Sequence, residues 1–222
     1  MSNMDKQLDL IVDELLKRLS KDGNNIIKSE EEDTILVEAS GKHVHLSQEH
    51  VEMLFGKGYE LKKVRELSQP GQYLCEEKVM IIGPKGTLNK VSVLGPARSE
   101  TQVELSLNYA LSSCIKAPVR MSGDVKGSAG AVIATPNSAV LLKEGVIVAK
   151  RHIHITPEDA KKFGVEDKEV VQVKVGCEQR GLIFDNVVVR VSPSFKTAMH
   201  IDYDEANGCG FMKNMRAKII KK

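Results

Sequence analysis

K-H-V-H-L-S-Q-E (42–49) and R-H-I-H-I-T-P-E (151–158) are two spellings of one pattern: basic, His, aliphatic, His, aliphatic, hydroxyl, any residue, Glu. In an extended strand, residues i and i+2 share a face. His43 and His45 therefore present two imidazoles side by side, with Val44 turned the other way, and His152 and His154 repeat the arrangement. Each run closes on a helix-capping hydroxyl, Ser47 or Thr156, and Pro157 suits the first helical position. Short helices are predicted to start there.

Outward from these runs the chain reads as short β segments broken by Gly and Pro: TILVEA, KVMIIG, KVSVLG, AVIA, GVIVA, EVVQVKV and NVVVRV. Such spacing with few long helices predicts a mainly β fold of barrels or sandwiches. Two further matches follow in the same order. N-K-V-S-V-L-G-P (89–96) answers N-V-V-V-R-V-S-P (186–193), and T-Q-V-E-L (101–105) answers T-A-M-H-I (197–201), which aligns Thr101 with Thr197 and Glu104 with His200. Three matches in one order predict two copies of one domain. The small and turn-forming residues of SGDVKGSAG (122–130) place the boundary between domains at 34–125 and 126–222.

Ahead of them, Leu8, Ile11, Val12, Leu15, Leu16 and Leu19 recur at helical spacing, predicting an amphipathic helix within residues 1–22. The polar, acidic stretch 23–33 reads as a linker. An apolar stripe of this kind either folds back on the core or docks in a partner's groove.

The composition narrows the function. The 222 residues carry 32 basic and 30 acidic side chains, a net charge of +2, against the basic stripe of a nucleic-acid binder. Aromatic residues at 4% with no Trp argue against a base-stacking platform. No apolar run approaches the roughly 18 residues of a membrane span, and Asp9, Asp13 and Glu14 interrupt any secretory signal. Cys75, Cys114, Cys177 and Cys209 form no C-x-x-C pair and read as free thiols of a reducing cytosol.

Five of the six histidines fall in the duplicated pattern; His50 belongs to the first turn of the helix after Ser47. Two imidazoles on one face suit a divalent metal, and Glu104 and His200 stand where each half needs a third ligand. Nitrogen and carboxylate donors without thiolate fit zinc, with Fe, Mn or Co as alternatives. Three protein ligands leave an open position for chemistry. Arg98 is a candidate for gripping an anion, as is Lys85 at the tip of G-P-K-G (83–86).

These residues resemble the PduL-like phosphotransacylases (phosphate propanoyltransferases) of bacterial microcompartments, over about residues 34–210. The resemblance rests on V-E-A-S-G-K-H-V-H-L-S (37–47), L-S-Q-P-G-Q (67–72), G-P-K-G (83–86), L-G-P-A-R (94–98) and T-Q-V-E-L-S (101–106). R-H-I-H-I-T-P-E-D-A (151–160) and H-I-D-Y-D-E-A-N (200–207) continue it.

It implies two β-barrel domains with a two-zinc site between them: one zinc on His43, His45 and Glu104, the other on His152, His154 and His200. It further implies that Arg98 binds phosphate and that Ala39, Ser40, Gly41, Lys85 and Asn207 bind coenzyme A. Ser92 stands where members often carry a basic residue, and Lys42 where arginine is frequent. The implied reaction interconverts acyl-CoA (propanoyl or acetyl) plus phosphate with acyl phosphate plus CoA, by direct attack without an acyl-enzyme. The amphipathic helix resembles an encapsulation peptide. It implies docking to shell or core proteins through residues 5–22, a place in the lumen of a bacterial microcompartment within the cytoplasm, and room for a homo-oligomer.

Two other readings come from the residues alone. H-V-H-L-S-Q-E (43–49) also satisfies a cupin-like H-x-H-x3-E spacing, which suggests a metallohydrolase; against it, the Ser47 cap puts Glu49 on a helix. The second is a non-catalytic, zinc-stabilised docking module, which would unfold when stripped of metal.

Overall fold

The computed structural model describes residues 33–176 and 179–220. The predicted N-terminal helix, the linker up to residue 32 and Cys177 lie outside them. The described chain is mainly β, built as two closed six-stranded barrels with four short helices.

In the first barrel β2 (His43–His45), β5 (Thr87–Gly95), β4 (Tyr73–Ile82), β8 (Ala129–Ala134), β9 (Ala139–Ala149) and β6 (Gln102–Leu105) follow one another around the ring, and β6 returns to β2. The short strands β3 (Lys63–Glu66) and β7 (Val119–Arg120) lie alongside β4 and β9. In the second barrel the same circuit is made by β10 (His152–Ile155), β12 (Leu182–Val191), β11 (Val170–Val175), β14 (Arg216–Ile220), β1 (Ile35–Ser40) and β13 (Ala198–Asp202). Parallel and antiparallel pairings occur at matching places in both rings. For example, β2 runs parallel to β5 as β10 does to β12. The duplication read from the sequence is thus a duplication of topology.

The exchange of one strand is what the sequence boundary at 125/126 misses. The first strand of the chain, β1, pairs with β13 and β14 of the second barrel. Conversely, β8 and β9, which follow the predicted boundary, pair with strands of the first. Each histidine strand is therefore entered from the opposite barrel, across Gly41–Lys42 in one case and Lys150–Arg151 in the other. The Gly- and Ser-rich stretch 122–130 is only a loop running into the first residues of β8.

Register also corrects one of the three matches. His43 pairs with Ser92 and His152 with Val188, so Ser92 corresponds to Val188, one place off the Asn-to-Pro alignment. In each barrel two residues oppose one at a bulge, where Lys90 and Asn186 take left-handed φ of 53° and 54°. The other two matches agree with the register: His43 faces Glu104, and His152 faces His200.

Alternation does the packing. Val44 and Leu46 point into the first barrel's core, and Ile153 and Ile155 into the second's, all fully buried. Each such side chain contributes about 1.5–3 kcal/mol by leaving water. The intervening histidines are thereby turned out of the barrels and toward each other. Helices α1 (Gln48–Phe55) and α3 (Pro157–Phe163) start where predicted, with the Ser47 and Thr156 hydroxyls accepting from the backbone N–H of His50 and Asp159. Two more, α2 (Leu107–Ser113) and α4 (Tyr203–Cys209), follow β6 and β13 in equivalent positions. No described helix is long and apolar enough to cross a membrane.

Candidate active site

Both histidine pairs open onto one cavity of about 520 Å³ walled by the two barrels. From the first barrel come His43, His45 and Glu104; from the second, His152, His154 and His200. Among the described residues, His43, His45 and Glu104 alone bring one donor atom each within 4.8 Å of one another. The second trio is a looser ring, with centroids 4.7 Å (His152–His154), 4.7 Å (His154–His200) and 5.2 Å (His152–His200) apart.

The surroundings fix these side chains. His43 Nδ1 lies 3.2 Å from the Gly41 carbonyl and His152 Nδ1 2.8 Å from that of Lys150. Each crossover between barrels thus supplies the carbonyl that orients the first histidine of the next strand, leaving Nε2 for the cavity. Glu104 accepts from Gln102 Nε2 at 2.5 Å and Ser122 Oγ at 2.9 Å, while its second oxygen lies 3.3 Å from His43 Nε2. His200 Nε2 is 3.2 Å from the Gln69 amide and its Nδ1 3.7 Å from Glu38. Gln69 is itself clamped to the Lys196 backbone across the barrel boundary.

Burial governs the charges. It disfavours protonation of His45 and His154, whose neighbours His43 and His152 add to the effect, and both are pushed down to about 3. His152 and His200 are lowered by the same burial. Burial opposes charge on His43 as well, but the adjacent Glu104 carboxylate outweighs it and raises the pKa; Glu104 is held well below the usual carboxylate range. The cavity therefore offers four imidazoles biased toward the neutral form that metal binding requires, beside an ionised carboxylate that biases the fifth, His43, toward its charged form. The fit to a metal is further supported by ring nitrogens with no other use: His45 Nδ1 and both nitrogens of His154 are buried without a hydrogen-bond partner.

Of the residues expected at coenzyme A, Ala39, Ser40 and Gly41 line the cavity. Lys85 does not; it is exposed on the 83–86 turn, where its backbone N–H reaches the Ser113 carbonyl. Asn207 sits in a smaller depression with Arg180 and Phe211, joined to the cavity through Tyr203, which lines both. Arg98 is half-buried and close enough to His43, His45 and Glu104 to affect their charges, without lining the cavity. Ser92 lines the cavity and accepts from Lys78 Nζ at 2.9 Å. Lys42 lies 4.7 Å from the Tyr109 ring centroid.

Neither Ser47 nor Thr156 lines the cavity; their backbone N–H groups donate to Thr101 and Thr197. Glu49 is exposed on α1, so the cupin-like third ligand is lost. Cys75 and Cys209 are buried and Cys114 is exposed.

Sequence reasoning passed over Gln69, Gln102, Ser122 and Arg190. Gln102 carried a signal, since its i−2 position puts it on the face of Glu104. Gln69 stood in the quoted L-S-Q-P-G-Q without a role.

Fold and site together define an enzyme with a histidine- and arginine-walled cavity between two interlocked barrels. The comparisons give that class its family: residues 36–212 match phosphate propanoyltransferase. A phosphate propanoyltransferase of Clostridioides difficile is 55% identical over 219 residues, 99% of this chain and all of that protein. Another of the same name from Listeria monocytogenes is 58% identical over 84% of this chain and 87% of its own length. One from Enterococcus faecalis is 51% identical over 95% and 96%. The chain belongs to the phosphate propanoyltransferase family, and is an acyltransferase.

Proposed function

We propose that the cavity interconverts acyl-CoA and inorganic phosphate with acyl phosphate and CoA, propanoyl and acetyl being the acyl groups considered. What carries the reading is the meeting of two His-x-His strands, one per barrel, with His45 and His154 nitrogens left unpartnered. His43, His45 and Glu104 would hold one zinc and His152, His154 and His200 a second. Zinc held there would supply Lewis acidity toward the CoA sulfur and the acyl carbonyl.

The chain's own part is positioning. Ala39, Ser40 and Gly41 border the path of CoA, with Lys85 and Asn207 proposed for its outer portion. Arg98 orients phosphate through its guanidinium fork. In the thioester-forming direction the sulfur attacks the carbonyl carbon, the C–S bond forms, the carbon–oxygen bond to phosphate breaks, and the thiol proton ends on phosphate. No side chain is acylated. Closing two substrates into one cavity is worth up to roughly 7–11 kcal/mol in the best intramolecular models.

Residues 5–22 are proposed to dock on a shell or core protein of a microcompartment, which would place the enzyme in its lumen. The test of the reaction is thioester formation from propanoyl phosphate and CoA, followed in the ultraviolet with and without a chelator. Turnover abolished by the chelator and restored by zinc is expected. Absence of turnover by folded, zinc-loaded protein with both propanoyl and acetyl phosphate would reject the reading.

A further inference from the structure

Arg190 is a half-buried cation in the cavity wall that the mechanism above does not use. It lies on β12 opposite His154 of β10, and lines the cavity. Its guanidinium carbon sits 5.7 Å from the Phe195 ring centroid, and Phe195 in turn stacks on His154 at 4.0 Å and 21°. Among the described residues no carboxylate comes within ion-pair distance of it, and the ring contact is its one specific partner. A guanidinium has five donors. Half-buried in the cavity wall, these donors meet water or an anion that arrives from the cavity, and a charge-assisted bond to an anion is the stronger of the two.

The opposite barrel makes a related provision. The Arg98 backbone N–H donates to the Leu46 carbonyl at 2.8 Å, fixing Arg98 at the end of the other histidine strand. Among the described residues no carboxylate is within ion-pair distance of Arg98 either. Burial makes Arg98 harder to charge, Glu104 opposes this and Arg190 adds to it, so the two cations and the carboxylate share one neighbourhood. Each barrel thus contributes one arginine beside its histidines.

We propose that Arg190 is a substrate-binding residue, gripping the phosphoryl group of phosphate and acyl phosphate opposite Arg98. This rests on the phosphotransacylase reading of the cavity. The other anion available is the diphosphate of CoA, but a whole pantetheine arm separates it from the sulfur. A group that is the strand partner of His154 meets the reacting end. Two guanidiniums held beside the two histidine clusters, one from each barrel, also suit a tetrahedral dianion, each taking a different pair of oxygens.

The test uses zinc-loaded, full-length wild-type protein, Arg190→Ala and Arg190→Lys. The KM for phosphate is expected to rise about 10- to 100-fold in Arg190→Ala, with Arg190→Lys in between. The KM for propanoyl-CoA and the zinc content should stay at wild-type values, and inorganic phosphate alone should lose its thermal stabilisation of the protein. An unchanged phosphate KM, a loss falling on CoA, or zinc loss with kcat falling alone would overturn the proposal, the last showing that Arg190 merely props Phe195 and His154. If wild-type protein makes no thioester, the phosphotransacylase reading fails instead. The thermal response to inorganic phosphate then still decides whether Arg190 binds that anion.

Discussion

Glu104 shows how much a single side chain owes to its neighbours. Buried carboxylates are unfavourable in the ionised form, yet this one is held ionised by His43 at 3.3 Å and by donors from Gln102 and Ser122. Partners of that kind typically alter metal affinity by about 10–100-fold when removed. Gln102→Ala should weaken zinc binding by that order while leaving the fold intact, measured by competition with a chromophoric chelator; unaltered affinity would contradict the proposed ligand role of Glu104. Glu104→Gln removes the charge but not the shape. His43 should then titrate at lower pH in the zinc-free variant than in the wild type, a change that imidazole NMR signals would report. The histidine spacing was legible because period-two alternation writes it directly, and the third positions because the repeat aligns Glu104 with His200. Arg190 was not, because the register sets it against Leu94 of the first copy, so no repeated arginine marks it.

At the scale of elements, the two threonines that follow the bulged strands do equivalent jobs. Thr101 Oγ1 accepts from the Ser47 N–H at 2.8 Å and lies 2.7 Å from His50 Nδ1; Thr197 Oγ1 accepts from the Thr156 N–H at 3.3 Å and bonds Asp159. Each ties a helix start to the strand that carries a third ligand position. The Thr101 site is buried and the shorter of the two, so Thr101→Val should cost about 1–3 kcal/mol in urea unfolding, and more than Thr197→Val. The reverse order would count against this account. The glycines of G-P-K-G also have a packing reason: a Cβ on Gly86 would lie 2.5 Å from the Ser112 backbone oxygen at the end of α2. Helix starts at Ser47 and Thr156 could be read from capping chemistry. The short α2 could not, because its N-cap, Ser106, makes no capping hydrogen bond with its side chain.

For the whole molecule, the sequence disclosed two copies but not which strand each copy keeps, since β1 and β9 look alike and nothing local says they have changed places. The same interlocking brings both histidine clusters into one buried cavity, and this sets a response to acid. His45 and His154 titrate near 3 when folded and near 6.5 when unfolded. Below about pH 6.5 the unfolded chain takes up protons that the folded one refuses, and stability falls by up to about 1.4 kcal/mol per pH unit per group. The depressed Glu104 acts in the same direction at lower pH, whereas the raised His43 opposes it. Zinc-free protein should therefore show a falling urea midpoint from pH 7 to 5, with a shallower slope in His154→Ala; a flat profile would show that the imidazoles are not held neutral. The exchanged strand also dictates an order of assembly. A ribosome that has delivered residue 149 has supplied every strand of the first barrel, while β1, synthesised before any of them, waits for partners that end at residue 220. In that interval β1 is an unpaired edge, and the β13 and β14 of another chain would complete it as well as its own. Crowded synthesis should thus yield strand-swapped dimers whose second barrels are each made of two polypeptides.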